Sequence, residues 1–271
     1  VDGALIPIAG LPPLNAENLQ DIIFATLDEN QRKIYLKDKE FDYSFAFGDV
    51  ARFRVNAFHE RGKMAAAFRL IPNHIKDITE LGMPNIVSTF ADFPRGLVLI
   101  TGPTGSGKST TLAALINKIN LEKTSHVITI EDPIEYYHES QQSIVTQREV
   151  GHAVPSFAEA IRRALRQDPD VILVGEMRDL ETMETVIETA ETGHLVFATL
   201  HTNTAASTVE RMIDKFPAER QNQIRSMLAD TLKGVVAQTL CRRRDGKGRA
   251  AAFEVLVVNT SVAALIREAK T

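Results

Sequence analysis

The hydrophobic pattern changes period twice along the chain. Over residues 15–33, Leu19, Ile22, Ile23 and Leu27 recur at helical spacing, with Asn15 placed to cap the start. The period then drops to two. Phe41, Tyr43, Phe45 and Phe47 alternate with Asp42, Ser44 and Ala46, as in a half-buried strand. A second strand over 51–58 sets Phe53, Val55 and Ala57 against Arg52, Arg54 and Asn56, and His59-Glu-Arg-Gly62 turns the chain into a third over 64–71. Ile71-Pro72-Asn73-His74 breaks the pattern, so residues 1–71 read as a small α+β domain and 72–82 as a linker. From residue 83 to 271 a different grammar takes over. Continuous apolar runs at 97–101, 127–130, 171–175 and 195–200 predict buried strands, and helical patterns follow at 107–120, 156–166 and 180–192. Ser156 with Glu159 three residues on is a capping-box pattern, and Gly193 is a helix stop. This alternation predicts an α/β domain built on a mainly parallel sheet covered by helices.

Composition narrows the classes. At 271 residues, with 44% hydrophobic and 24% charged residues, the chain is long enough for two folded domains. A net charge of −4 argues against bulk nucleic-acid binding as the main task. Cys241 is the only cysteine, which excludes an internal disulfide and a cysteine-based zinc cluster and fits a reducing compartment. No apolar run is long enough to span a bilayer and no signal peptide is visible. The first residue is Val1 rather than Met, which leaves room for a native N-terminal extension.

The chemistry starts where the run at 97–101 ends. Gly102-x-x-x-x-Gly107-Lys108-Ser109 is a phosphate-binding loop between a predicted strand and a predicted helix. Glycines at 102, 105 and 107 let the backbone turn its N–H groups inward, and the helix start adds positive potential. Gly102, Thr104, Gly105, Ser106, Gly107, Lys108, Ser109 and Thr110 are the candidate nucleotide-binding residues. Lys108 reaches the outer phosphates and Ser109 is placed to hold Mg2+.

Three further segments fall at strand ends, where open α/β sheets bind ligands. Glu131-Asp132-Pro133-Ile134-Glu135 crowds three carboxylates that repel unless a cation or water lies among them. Glu131 is then a candidate cation ligand, and one carboxylate of the box is a candidate base for the attacking water. Alone, the triplet fits an acidic surface loop equally well. The run at 171–175 delivers Glu176, a second candidate Mg2+ ligand. His194 and His201 bracket the run at 195–200, so they stand at opposite ends of a strand and do not chelate one metal. A lone histidine there is ordinarily structural; beside a nucleotide it can sense the γ-phosphate. On pattern alone Arg52 and Arg54 read as a solvated face, the alternative being contact with a phosphate across an interface.

In this order the phosphate loop, the Ile130-Glu-Asp-Pro-Ile-Glu135 box, Val174-Gly-Glu-Met-Arg-Asp179 and Thr192-Gly-His194 with Leu200-His-Thr202 resemble the secretion ATPase superfamily. They look most like the twitching motility, or retraction, ATPases of type IV pili (PilT-like), over nearly the whole chain, including Ala51-Arg-Phe-Arg-Val-Asn-Ala-Phe58 and Arg61-Gly62. The resemblance implies an N-terminal PAS-like domain, a C-terminal RecA-like ATPase domain, and a homohexamer binding ATP and Mg2+ between subunits. It also implies a cytoplasmic motor at the face of the inner membrane, peripheral rather than inserted, acting on a pilus platform protein and on no nucleic acid directly. Glu135 matches the catalytic glutamate, Glu176 the Mg2+-holding one, Lys108 and Ser109 the loop pair, and His194 and His201 the histidine box. Arg52, Arg54 and Arg61 fall in the segment from which the family brings cations to phosphate.

Extension and type II secretion relatives typically carry a four-cysteine zinc insertion, which one cysteine rules out. The retraction family's Ala-Ile-Arg-Asn-Leu-Ile-Arg-Glu motif is here Ser261-Val-Ala-Ala-Leu-Ile-Arg-Glu268, with Ala263 and Ala264 replacing Arg and Asn. An accessory retraction ATPase or a secretion-system ATPase is therefore the alternative. A RecA-like nucleic-acid translocase would carry basic or aromatic loops, yet aromatic residues are 6% and Trp is absent. The one basic cluster, Arg242, Arg243, Arg244, Lys247 and Arg249, flanks Asp245-Gly246, which reads as a hairpin turn. A nucleotide-gated scaffold without turnover has no need of the acidic box.

Overall fold

The chain divides into two units, Val1–His74 and Ile75–Thr271. The computed structural model describes residues 7–48, 50–71, 74–151, 153–246 and 248–270. Pro72 and Asn73 of the expected linker, and Lys247 of the basic cluster, lie outside the described residues.

In the first unit the expected single helix over 15–33 is two. Helix α1 (Ala16–Ala25) begins where the Asn15 side chain accepts from the Asn18 N–H. It stops at Thr26, whose hydroxyl turns to the Ile23 carbonyl and to the Tyr43 hydroxyl. Asp28 and Gln31 then form a reciprocal capping box that starts α2 (Glu29–Asp38). Strands β1 (Glu40–Phe47), β2 (Ala51–Glu60) and β3 (Lys63–Ile71) make an antiparallel sheet in that order. The alternation sends Tyr43, Val55 and Ala57 into a core with Ile23, Leu27 and Tyr35 from the helices. Phe47 departs from the expected half-buried row, being 62% exposed at the end of β1.

The second unit opens with a short helix α3 (Asn85–Ser88) and a 3-10 turn (Thr89–Asp92) that carries the buried Phe90. A seven-stranded sheet follows. Its strands are β4 (Gly96–Thr101), β5 (His126–Glu131), β6 (Ile144–Glu149), β7 (Val171–Val174), β8 (Leu195–Leu200), β9 (Leu232–Arg242) and β10 (Arg249–Val257), in spatial order β10-β9-β4-β8-β7-β5-β6. All neighbours pair parallel except β9 and β10, an antiparallel hairpin. Strand β6 lacks an apolar run and did not stand out in the sequence.

Successive strand residues alternate between two cores. Leu97, Leu99, Ile128, Ile130, Ile172 and Val174 pack on one face with α5 (Phe157–Ala164), α6 (Leu180–Glu191), α7 (Ala205–Asp214) and α8 (Ala218–Thr231). Val98, Ile100, Val127, Leu173 and Phe197 pack on the other with α4 (Lys108–Glu122) and the Phe90 turn. A sheet buried on both faces explains why its central strands read as unbroken apolar runs. Gly234 on β9 gives Phe90 its seat: a Cβ there would fall inside the ring. The capping box at α5 is half formed. The Ser156 hydroxyl accepts from the Glu159 N–H, but the Glu159 carboxylate takes Arg163 at 2.7 Å instead. The last helix, α9 (Thr260–Arg267), carries Ala263 and Ala264 and is tied to α8 by Arg267 on Asp230 at 2.6 Å.

Candidate active site

Because β4, β5, β7 and β8 are parallel, their C-terminal ends form one edge of the sheet, and the phosphate loop, the acidic box, Glu176 and His201 leave from it. From β4 the chain enters the phosphate loop. Gly102 has φ +141°, and a Cβ there would strike the Gln238 carbonyl oxygen and the Ser106 hydroxyl, so only glycine fits. Gly107, at φ +93°, precedes α4 and supplies no side-chain cap, so the first-turn N–H groups of α4 are left for a ligand. The Thr101 and Ser106 hydroxyls are buried there without a hydrogen-bond partner. Orphan donors, a side-chain-free cradle and an uncapped helix start together fit a bound phosphate chain. Ser109 lies in the first turn of α4, where its hydroxyl would hold Mg2+ beside that chain. Thr104 and Gly105 form the exposed tip of the loop, and the Thr110 hydroxyl is bonded to the Tyr136 hydroxyl at 2.9 Å.

Lys108 folds back over this cradle, its Nζ donating to the Gly102 carbonyl at 2.9 Å and the Pro103 carbonyl at 3.1 Å. Burial pulls its pKa below the usual lysine range, against the opposing fields of Glu176 and Glu135. Its ammonium also lies 3.5 Å from Nδ1 of His201, at the end of β8. Nε2 of the same ring is 2.8 Å from a Glu176 oxygen. A carboxylate only accepts and an ammonium only donates, so the ring carries its proton on Nε2 and offers the Nδ1 lone pair to Lys108. The other Glu176 oxygen takes Arg178 at 2.8 Å, and that guanidinium lies 3.7 Å from Asp132. Burial pushes the Glu176 pKa up, but the Arg178 bond and charge, with the His201 bond, hold it below the usual carboxylate range.

The acidic box leaves β5, with a cis peptide at Asp132–Pro133. Edge strand β6 holds it in place. Gln147 donates to the Tyr136 carbonyl at 2.8 Å and to Glu131 at 3.3 Å, and accepts from the His138 N–H at 2.8 Å. Glu149 accepts from the Ile134 N–H at 3.0 Å. Glu131 also accepts from the Thr129 hydroxyl at 2.7 Å, while burial pushes its pKa up to about 7. Among the described residues no group of three or more His, Cys, Asp or Glu side chains is arranged to hold a metal. Thr129 and Gln147 both donate to the same Glu131 oxygen, which ties this carboxyl to the sheet. Glu135 lies close enough to Lys108 to act on its charge.

His194 lies apart from this cluster, at the end of β8 that the spacing predicts. It is separated from His201 by the length of β8, about 23 Å at about 3.3 Å per strand residue. Its Nδ1 contacts the Thr189 carbonyl at 3.1 Å and the Thr192 hydroxyl at 3.2 Å, at the end of α6. Arg52 and Arg54 belong to the first unit, on β2, where Arg54 faces Ser44 on one side and Arg69 on the other. Arg61 is exposed in the β2–β3 turn at φ +50°, 3.9 Å from Glu60. Arg178, Gln147 and Tyr136 were not singled out from the sequence. Arg178 had a local signal, two residues past Glu176; the other two had none.

The chain is similar to known proteins over nearly its whole length. It is 52% identical over 260 residues to a twitching motility protein of Neisseria gonorrhoeae, covering 96% of this chain and 70% of the relative. It is 50% identical over 270 residues to the type IV pilus retraction ATPase PilT of Pseudomonas aeruginosa, covering 100% and 78%. A crystal structure described as the pilus retraction motor PilT with bound ADP superposes with a TM-score of 0.90 at 50% identity, covering 93% of this chain and 73% of the other. The family model for type II/IV secretion system proteins matches residues 37–271. With the phosphate loop, the acidic box and the Glu176–His201 pair gathered on one sheet edge, the chain belongs to the type II/IV secretion system protein family.

Proposed function

We propose that this protein hydrolyses ATP with Mg2+ and converts the energy into work as the motor of type IV pilus retraction. The observation that carries this reading is the chain Lys108–His201–Glu176–Arg178 lying across the phosphate loop. It belongs to a chain half identical to a twitching motility protein and to a type IV pilus retraction ATPase. A phosphate group displaces the loop carbonyls as the partner of Lys108, and the change reaches Glu176 through His201. Glu135 accepts the proton of the attacking water. Mg2+, when bound beside Ser109 with Glu176 in support, neutralises charge on the phosphates.

The motor works as a homohexamer with nucleotide between copies. Arg52, Arg54 and Arg61 of one copy supply cations to a neighbour's phosphates; the like-charged Arg54–Arg69 pair on one sheet face is suited to an anion. No helix among the described residues is long and apolar enough to cross a membrane. Within this reading the motor acts from the cytoplasmic face of the inner membrane on a pilus platform protein. An accessory role in retraction is the second reading, favoured by Ala263 and Ala264 on α9.

ATPase rate measured against protein concentration, with light scattering on the same samples, tests the ring. The rate per subunit should rise as hexamers form. Full activity in a monomer would remove the shared site and the arginine roles with it.

A further inference from the structure

Gln238 grips the phosphate loop from outside its own strand and helix. Strand β9 runs parallel to β4 with Ala237 opposite Thr101, so the next residue lies against the loop as it leaves the sheet. The Gln238 side chain is buried, its residue only 5% exposed. Its Nε2 donates to the Ser106 carbonyl at 2.7 Å, and its Oε1 accepts from the Thr111 hydroxyl on α4 at 2.8 Å. Both glycines that flank the loop also face this residue. The Gln238 carbonyl occupies the place of a Gly102 Cβ, and Nε2 stands 3.1 Å from where a Gly107 Cβ would be.

The bond to Ser106 has a directional consequence. In a planar trans peptide the carbonyl and the following N–H point opposite ways. Holding the Ser106 carbonyl outward against β9 therefore aims the Gly107 N–H inward, toward the phosphates. A Gly107 peptide is otherwise free to rotate, and ordering it would fall on the nucleotide as a cost of binding.

We propose that Gln238 is a positioning residue for the nucleotide, presetting the Gly107 amide by holding the Ser106 carbonyl. This rests on the ATP-hydrolysing reading above. Gln238→Met keeps the volume and removes both hydrogen bonds. Titration of the full chain with a fluorescent ADP analogue and Mg2+ should show about tenfold weaker binding in this variant, the scale of one buried hydrogen bond. KM for ATP should rise more than kcat falls. Gln238→Glu, titrated at a pH where the carboxyl is ionised, keeps an acceptor for Thr111 but has no donor for Ser106; it should lose affinity similarly and serves if the methionine variant does not fold.

A purely structural role would instead lower the melting temperature without nucleotide and leave KM and analogue affinity of the folded protein at wild-type values. That result in either variant overturns the proposal. Wild-type protein that binds no analogue, and does not differ from Lys108→Ala, refutes the ATPase reading and takes this proposal with it. Wild-type protein that binds, beside an unaffected Gln238→Met, refutes the proposal alone.

Discussion

Glu131 makes the acidic box testable without a nucleotide. Its carboxyl is raised from 4.5 to about 7 by burial, against the Thr129 and Gln147 bonds that favour the ionised form. Between these values the folded protein keeps the proton while the unfolded chain releases it. Stability contributed at this site is therefore present below the unfolded pKa, falls as pH rises through the window, and is flat above pH about 7. At about 1.4 kcal/mol per unit, the full penalty approaches about 3 kcal/mol. Glu131→Gln keeps the shape and an acceptor for Thr129 and Gln147 but cannot ionise. Its stability relative to wild type should rise by about 2 kcal/mol between pH 5 and pH 8. Urea unfolding of the nucleotide-free chain at several pH values, followed through the transition of the second unit, measures the gap. Every other titrating group is common to both proteins and cancels to first order. A gap that stays constant, or reverses above pH 7, would mean that Glu131 is ionised at neutrality and that its two hydrogen bonds outweigh burial.

Glu135→Gln should retain nucleotide binding and lose turnover; substantial remaining hydrolysis would move the base to another carboxylate of the box. Gly234→Ala should destabilise the second unit by about 1–3 kcal/mol, because Phe90 occupies the space of the new methyl group. An unchanged melting curve would show that the ring can move aside. Arg54→Ala should lower ATP hydrolysis with the first unit still folded by circular dichroism, and undiminished activity would return Arg54 to a solvated face.

The phosphate loop was legible because its chemistry is local: glycines at fixed offsets, a lysine, a hydroxyl, and a strand-to-helix context in the hydrophobic period. The strand at 195–200 was legible to its ends, since burial on both faces leaves it apolar but for Thr199, whose hydroxyl donates to the Gly175 carbonyl. Opposite placement of His194 and His201 also followed from spacing, although only the hydrogen bonds decided which of them meets the phosphate loop. The split of α1 from α2 had a local signal in Asp28 and Gln31, but helical periodicity running through residue 27 masked it. Strand β6 had none. Its Gln147 and Glu149 are polar because they face the acidic loop, and pairing with β5 makes the segment a strand.

The amino-acid sequence by itself determined the elements with strong periodicity, the phosphate loop and the family of motifs, because each depends on residues within a turn or two of one another. Tertiary structure alone decided the order of the strands, the tie of β6 to the acidic box and the grip of Gln238 on a loop 132 residues earlier in the chain. Those choices are made when two faces of one sheet are buried at once, and no local pattern records which strand end will meet which.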